Sequence, residues 1–320
     1  MSDKSGHTDL ELGAAQERLI KIVENVETVI IGKRQAVELV LIAVLARGHV
    51  LLEDVPGVGK TSLIFSVAKS VDCDFKRIQF TPDLMPSDVT GFSIYNQKTG
   101  EFEFRAGSVM SNIVLADEIN RASAKTQSAL LEAMEEKQVT VDSVTYVLPD
   151  PFMVMATQNP IESFGTYPLP EAQIDRFMLK LSMGYPNIDE EQLIVRAGRD
   201  VRAALHPVVS RADILELIDM AERVWVNPDI ERYIVEIVAA TRSNSRVSLG
   251  SSPRGSLALS ATAKALALLR GRSHVYPDDV KYLAPFVLGH RIILSQEARA
   301  ERVAPNDLIR DIVDGIVAPI

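Results

Sequence analysis

Residues 49–61 read HVLLEDVPGVGKT, which predicts a short apolar strand, a glycine-bearing loop and the first residues of a helix. Such a loop points successive backbone N–H groups inward, and with the helix N-terminus it forms a cavity suited to a phosphate chain. Lys60 would place a positive charge on the outer phosphates, and the Thr61 hydroxyl would be one ligand of Mg²⁺. The general loop pattern has glycine where this chain has Asp54, so an ordinary strand-to-helix turn is the alternative.

The composition is that of a globular protein of one large or two medium domains. The chain has 320 residues, of which 47% are hydrophobic and 24% charged, and its formal net charge is -9. This acidic balance disfavours non-specific binding to nucleic acid. No apolar run reaches the roughly 20 residues of a membrane-spanning helix, and the polar N-terminus lacks the apolar centre of a signal peptide. We therefore expect a cytoplasmic protein without a membrane span.

Strands and helices alternate between residues 30 and 184, which predicts a parallel sheet with helical crossovers. The helices are predicted from apolar positions at helical spacing, over residues 12–26, 34–46, 61–69 and 124–136. Besides the strand before the loop, short runs predict strands over residues 75–80, 113–116, 152–157 and 177–181. Two further segments, 92–104 and 139–148, are predicted to be β-hairpins inserted between these elements.

Beyond the sheet the pattern becomes helical. A charged helix is predicted over residues 190–203, and later helix starts are indicated by a capping box of Ser210 with Asp213 and by Asn227 before a proline. The predicted units are an N-terminal tail and helix (1–28), a sheet domain (29–184), a linker helix (185–205) and a second, helical domain (206–320).

Polar side chains follow the strands at the edge where parallel sheets bind their ligands. Asp117 can hold Mg²⁺, and Glu118 beside it can orient and deprotonate an attacking water. Asn159 offers an amide suited to a terminal phosphate and to the same water. The alternatives are that the two acids begin a helix and that the asparagine is a turn residue before proline. Their convergence with the glycine-bearing loop favours a phosphate site.

Five segments, in order, resemble motifs of the MoxR family of AAA+ ATPases. They are LLEDVPGVGKT (51–61), LADEINR (115–121), ATQNP (156–160), LPEAQIDRF (169–177) and SPR (252–254). The resemblance runs from about Ile31 to the end of the helical domain. Aspartate at the position of Asp54 is a variant of the loop sequence that also occurs in this family. The resemblance implies an α/β fold, the αβα P-loop sandwich of AAA+ proteins, in which a parallel sheet with two β-hairpin inserts precedes an all-helical lid domain.

The resemblance also implies roles for individual residues. Lys60 and Thr61 match Walker A, Asp117 and Glu118 match Walker B, and Asn159 matches sensor 1. Thr61 and Asp117 are the expected Mg²⁺ ligands, and Glu118 and Asn159 are expected to be catalytic. The predicted nucleotide-binding residues are Ile31, Gly32, Val55, Pro56, Gly57, Val58, Gly59, Lys60, Thr61 and Ser62, the first two beside the adenine.

Two arginines complete the catalytic set that the resemblance implies. Arg176 lies where related proteins carry an arginine finger, which acts on the γ-phosphate of the neighbouring subunit. Arg254 matches sensor 2, which is expected to contact the γ-phosphate within its own subunit. A planar guanidinium can stabilise the charge that phosphoryl transfer spreads over the γ-oxygens. The alternative for Arg176 is a surface ion pair with Asp175 or Glu171, and the alternative for Arg254 is a structural place at the start of a helix.

Taken together, the resemblance implies a homo-oligomeric ring, a hexamer, that binds ATP and Mg²⁺ and couples hydrolysis to chaperone-like remodelling or maturation of protein complexes. It implies a protein client and a partner with a von Willebrand factor A domain, and the hairpins are expected to face a central pore or the client. Three alternatives stay open: an ATP-gated assembly scaffold with little turnover, a metal-chelatase-type motor subunit and a DNA-linked AAA+ motor. The acidic balance disfavours the last, so no nucleic-acid partner is expected.

Overall fold

The computed structural model describes residues 8–159, 167–198 and 205–319, and a five-stranded sheet with surrounding helices occupies the first part of the chain. The elements of this part are α1 (Asp9–Glu27), α2 (Arg34–Leu45), β1 (Val50–Glu53), α3 (Lys60–Ser70), β2 (Phe75–Gln79), α4 (Pro86–Thr90), β3 (Gly91–Asn96), β4 (Glu101–Ala106), β5 (Ile113–Asp117), α5 (Ala124–Glu136), β6 (Gln138–Val141), β7 (Val144–Val147), β8 (Met153–Gln158), α6 (Glu171–Ile174) and β9 (Leu179–Leu181). The elements of the second part are α7 (Ile188–Ala197), α8 (Arg211–Arg223), α9 (Pro228–Ser243), β10 (Val247–Leu249), α10 (Pro253–Leu269), α11 (Pro277–Leu288), β11 (Ile293–Leu294), α12 (Gln296–Ala300) and α13 (Pro305–Asp314).

The predicted sheet is confirmed, and it is parallel throughout. The strand order is β2–β5–β8–β1–β9, with β2 and β9 at the edges. Alternate side chains point to opposite faces. Leu52 and Met155 enter a core shared with α1, α2, α3 and the C-terminal helices, whereas Leu51 and Val154 enter a second core under α5. Because all five strands run in one direction, the residues that follow β1, β5 and β8 meet on the side of the sheet where the carboxyl ends of the strands lie.

Two antiparallel hairpins extend from this sheet, as the sequence predicted. β3 pairs with β4, and β6 pairs with β7. Their apolar side chains include exposed ones, since Phe102 is 74% exposed and Val147 is 75% exposed. The rings of Phe104 and Tyr146 stack with their centroids 3.8 Å apart, so the two hairpins support each other.

The C-terminal region is helical, with one departure from the predicted all-helical lid. β10 and β11 form an antiparallel pair, and they are too short for a strand period to be visible in the sequence. The predicted starts of α8 and α9 are confirmed, because Ser210 and Asp213 bond reciprocally and Asn227 caps the helix that begins at Pro228.

The linker helix is shorter at its C-terminus than the predicted 190–203. It begins at Ile188, where the Asn187 side chain caps it. It ends at Ala197 because Gly198 has a φ of +71°, which breaks the helical path. The rest of that prediction, residues 199–203, lies outside the described residues.

Helix α1 links the two halves of the molecule. It contacts α2 and α3 on the sheet side and α10 in the C-terminal region. The Asn25 amide donates to the Ser70 hydroxyl at 2.8 Å and to the His206 carbonyl at 3.0 Å, joining both regions. The helix of the predicted N-terminal unit (1–28) is therefore packed against the rest of the chain, and the domain boundaries stay predictions. Among the described residues, no helix combines the length and apolar character that crossing a lipid bilayer requires.

His49 lies buried just before β1, where two backbone groups fix its tautomer. Its Nδ1 accepts a hydrogen bond from the Val154 N–H at 3.0 Å, so its Nε2 carries the proton and donates to the Met134 carbonyl at 3.1 Å. Burial lowers the pKa of His49 from 6.5 to about 4. The ring therefore stays neutral in the folded protein down to this pH.

We expect the free energy of unfolding to fall as the pH drops from 6.5 toward 4, because the unfolded chain binds a proton at His49 that the folded chain does not bind. Above pH 6.5 both states are neutral and the contribution is complete, and the full loss is roughly 3 kcal/mol. Denaturant titrations of wild type and His49→Gln at about pH 7.5, 6 and 5 measure it. Glutamine does not titrate, so equal pH slopes in the two proteins would contradict the prediction.

Candidate active site

The loop between β1 and α3 takes its shape from two glycines. Gly57 has a φ of +88° and Gly59 a φ of +93°, in the left-handed region that other residues rarely adopt. A Cβ at Gly57 would meet nothing within 4 Å, so the backbone angle rather than space requires glycine there. Helix α3 begins at Lys60, directly after this turn, and its first N–H groups lack partners within the helix. The arrangement is that of a phosphate-binding loop.

Asp54, the residue that departs from the general loop pattern, anchors the loop to the end of β9. Its buried Oδ2 accepts hydrogen bonds from the Ser182 hydroxyl at 3.0 Å, the Met183 N–H at 2.5 Å and the Gly184 N–H at 3.0 Å. The Lys60 ammonium donates to the Asp54 carbonyl at 2.8 Å. The acid therefore replaces the flexibility of a glycine with a fixed connection between neighbouring strands, a role that the sequence did not predict.

Residues from four separate segments line one cleft of about 360 Å³ at the carboxyl edge of the sheet. They are Pro56, Gly57, Gly59, Lys60, Thr61, Ser62, Arg77, Gln79, Asp117, Glu118 and Asn159. Most of the predicted nucleotide-binding and catalytic residues are thus brought together. Arg77 and Gln79, on β2, were not predicted, and their only signal is that two polar residues alternate at the end of an edge strand.

Asp117 is buried at the end of β5, with both carboxylate oxygens held. Its Oδ1 accepts from the Thr157 hydroxyl at 2.6 Å. Its Oδ2 accepts from Nε and Nη2 of Arg77 at 3.1 and 2.6 Å. These contacts from β8 and β2 fix the carboxylate at the floor of the cleft.

Glu118 follows in a strained conformation that turns its side chain toward the cleft. Its φ of +56° is in the left-handed region, which costs a residue with a side chain about 1 kcal/mol or more. Its N–H donates to the Thr157 hydroxyl at 2.8 Å. Its Oε2 accepts from the Gln79 amide at 2.7 Å and from Arg121 Nη1 at 3.0 Å. A carboxylate at the mouth of a polar cleft, held by two donors, can serve as a general base once they release it.

The alternative that the two acids cap a helix is wrong. A 3₁₀ turn (Ile119–Arg121) follows them, and Glu118 makes no side-chain capping bond there. The N-cap of α5 is Ser123, whose hydroxyl accepts from the Thr126 N–H. The alternative for Asn159, a turn before Pro160, depends on a residue that lies outside the described ones.

The donors in the cleft fit a hydrated Mg²⁺ ion bound together with phosphate. Thr61 and Asp117 both line the cleft and supply a hydroxyl and a carboxylate. Nowhere in the described chain do three or more histidine, cysteine or acidic side chains form a metal-binding group. Mg²⁺ matches this arrangement because it keeps several waters and needs only one or two protein ligands beside phosphate oxygens. When bound, it neutralises charge on the phosphates.

Arg176 and Arg254 do not line this cleft. Both pair with Glu135 at the C-terminal end of α5, at N–O distances of 2.7 and 2.5 Å. They lie beside His49 and Met178, which precede β1 and β9, around a second cavity of about 340 Å³. The second cavity thus lies at the amino ends of the strands, and the four residues of β1 alone separate this end from the phosphate loop by about 13 Å.

The expectation that Arg254 contacts the phosphate within its own subunit is therefore corrected. The lid places this arginine beside Arg176, at the edge of the sheet away from its own loop. Arg176 also lies away from its own cleft, and its action on a neighbouring subunit stays a prediction. The predicted alternative for Arg176, an ion pair with Asp175 or Glu171, is wrong as well, since its partner is Glu135.

The remaining predicted residues do not line the cleft. Ile31 and Gly32 form the turn between α1 and α2, where Gly32 has a φ of +73° and packs against Glu190 of α7. Val55 and Val58 belong to the loop, but their side chains are not part of the cleft lining. Contact of the Ile31 turn with an adenine stays a prediction.

Comparison with known proteins finds relatives along nearly the whole chain. The family described as "ATPase family associated with various cellular activities (AAA)" matches residues 49–179, and the AAA lid domain family matches residues 239–312. The chain is 56% identical to YeaC of Bacillus subtilis over 302 residues, 94% of each chain. It is 44% identical to Chaperone MoxR1 of Mycobacterium tuberculosis over 317 residues, 96% of this chain and 84% of that one. A Cytophaga hutchinsonii protein of known crystal structure, described as a possible ATPase, is 42% identical and superposes with a TM-score of 0.90 over 97% of each chain.

Proposed function

The chain belongs to the MoxR family of AAA+ ATPases, and on that premise we propose that it forms a ring whose adjoining subunits complete each other's active sites. Hydrolysis requires Mg²⁺ and drives chaperone-like remodelling of protein complexes. Family membership carries ATP binding and hydrolysis. The remodelling role is supported by the name of the Mycobacterium tuberculosis relative, a chaperone.

One observation carries the ring proposal: the phosphate cleft and the arginine pair lie at opposite ends of the strands of one sheet. The cleft is at the carboxyl ends of the strands, and the arginine pair is at their amino ends. The cleft contains Lys60, Glu118 and Asn159. Arg176 and Arg254 lie at the amino ends of the strands, around a different cavity. A subunit on its own therefore lacks, at its cleft, the two arginines expected to stabilise the charge that develops on the γ-phosphate. An adjoining subunit that presents its arginine edge to the cleft supplies them.

Each group has a distinct task in the proposed hydrolysis. Lys60 and the loop N–H groups bind the β- and γ-phosphates, and Asn159 holds the γ-phosphate and the attacking water. Glu118 accepts a proton from this water as its oxygen bonds to the γ-phosphorus and the bond to the ADP oxygen breaks. Arg176 and Arg254 of the adjoining subunit stabilise the charge on the γ-oxygens. Glu118 must be released from its hydrogen bonds to Gln79 and Arg121 before it can accept this proton.

The hairpins are the surface best suited to a protein client. Tyr95 on β3 and Phe102 on β4 are 52% and 74% exposed, and their ring centroids lie 5.3 Å apart. Aromatic side chains grouped at this exposure are typical of protein contact sites. The hexameric ring size and a partner with a von Willebrand factor A domain are proposed from the family resemblance.

Turnover per subunit is expected to rise with protein concentration and to level off once assembly is complete, because an isolated subunit has neither Arg176 nor Arg254 at its cleft. Steady-state ATPase assays over a dilution series, with the mass of the same samples measured by sedimentation, test this. Lys60→Ala gives the background rate. Undiminished turnover in samples that sediment as monomers would contradict a site shared between subunits.

A further inference from the structure

We propose that Glu135 is a positioning residue, which holds Arg176 and Arg254 together as one anion-binding pair for the phosphate of the adjoining subunit. This inference rests on the proposed function, in which both arginines act across the subunit boundary. Oε2 of Glu135 pairs with Nη2 of Arg176 at 2.7 Å, and Oε1 accepts a hydrogen bond from Nη2 of Arg254 at 2.5 Å. Each carboxylate oxygen thus holds one guanidinium.

The backbones that carry the two arginines are already joined through Asp175. Its Oδ2 accepts from the Ser252 hydroxyl at 3.0 Å. Ser252 is the N-cap of α10, and its hydroxyl also accepts from the Arg254 N–H at 3.2 Å. One carboxylate in the sheet domain therefore fixes the start of the lid helix beside Arg176, although the two arginines come from distant parts of the sequence.

Arg291, which follows the end of α11 at Leu288, fixes the backbone on both sides of Arg176. Its side chain is 3% exposed, and its Nε donates to the Asp175 carboxylate at 2.9 Å. Its Nη2 donates to the carbonyls of Asp175 and Phe177 at 3.1 and 2.7 Å. The main chain at this point is thus held by several hydrogen bonds from the lid, independently of Glu135.

What these contacts leave undetermined is the position of the two charged ends. The side chains of Arg176 and Arg254 are 30% and 50% exposed, and each is long and flexible. Two like charges at short distance repel, and ordering them at the moment of catalysis costs conformational entropy. Glu135 removes both obstacles, because one carboxylate between the guanidinium groups offsets their repulsion and sets their spacing.

The pair remains able to bind an anion while Glu135 holds it. A guanidinium carries five N–H donors in a planar fork, and the contact with Glu135 uses one Nη2 of each arginine. The cavity around them is also rich in positive charge. Its lining includes five cationic side chains but only two acidic ones, Glu135 and Asp175. A phosphate that approaches from an adjoining subunit meets two prearranged arginines in a cationic surface.

Glu135→Gln tests the inference with a nearly isosteric side chain. Its amide keeps an oxygen at one of the two positions and places an NH₂ donor at the other, so it holds one guanidinium and repels the other. We expect kcat for ATP to fall about tenfold because the arginines are no longer prearranged. KM and nucleotide affinity should not change, since Glu135 is remote from its own cleft. Mixing with Lys60→Ala subunits, whose arginines are intact, should restore turnover.

Glu136→Gln is the matched control, because it makes the same change on a neighbouring residue that pairs with neither arginine. An unchanged or raised kcat in Glu135→Gln would overturn the inference, and so would a fall that mixing does not restore, since that indicates a purely structural role. Arg176→Ala, assayed in parallel, distinguishes a failure of the proposed shared site from a failure of the proposed role of Glu135. If that variant keeps its turnover, the proposed shared site fails. If it loses turnover while Glu135→Gln does not, only the role of Glu135 fails.

Discussion

Glu118→Gln is expected to bind ATP with unchanged affinity and to lose about 10³-fold in turnover, the range typical of a general base. The carboxylate lines the cleft together with Lys60 and Asn159, and in the proposed function it accepts the proton of the attacking water. Glutamine keeps the shape and can still bond to Gln79 and Arg121 through its amide oxygen, but it does not accept a proton at neutral pH. Binding of a fluorescent nucleotide and steady-state release of phosphate measure the two effects separately.

Glu53→Gln is the control for this substitution. Glu53 lies at the end of β1, close to the loop, but it pairs with Lys180 at 2.6 Å and does not line the cleft. We expect its turnover to remain near that of wild type. Turnover of Glu118→Gln within a few-fold of wild type would remove Glu118 from the chemistry. If turnover collapses as expected, Glu118→Gln stays in its ATP-bound state. This state is then the best form of the protein in which to capture the protein client.

Arg176→Ala is expected to lose turnover by roughly 10³-fold while binding ATP normally, because an arginine supplied by a neighbour contributes on this scale. Its own cleft is intact, since the side chain lies at the opposite edge of the sheet. Mixing with Lys60→Ala subunits should restore part of the activity. In a random equal mixture about a quarter of the subunit boundaries join an intact cleft to an intact arginine.

The control for the mixing experiment is a subunit that carries both Lys60→Ala and Arg176→Ala. It joins the same assemblies but offers neither an intact loop nor an intact arginine, so it should restore nothing. Equal activity in the two mixtures would argue against transfer of Arg176 across a subunit boundary. Normal turnover of Arg176→Ala alone would argue against any catalytic role.

The parts that the sequence predicted well are those set by local pattern. Apolar runs predicted the strands, and a parallel sheet necessarily gathers their carboxyl ends, so the order of residues alone was enough to place Lys60, Asp117 and Asn159 in one site. The hairpins were also predicted, because alternation of side chains around a short turn is a local property.

The parts that the sequence could not predict depend on contacts between distant segments. Asp54 looked like a departure from the loop pattern, and its function appears only when the end of β9 is placed beside it. Arg254 was assigned to the wrong place because motif spacing does not tell how a lid packs against the sheet. Its partner Glu135 lies in α5, and nothing in the local sequence links the two.

The opposite placement of cleft and arginines gives every subunit a front and a back. In the proposed assembly, subunits joined front to back could add indefinitely, and only the angle between them decides whether they close. An open arc always has one terminal cleft that no arginine reaches. The subunit that closes the ring therefore activates two clefts, its own and the terminal cleft of the open arc. Closure is thus a discrete catalytic event, which turnover reports directly.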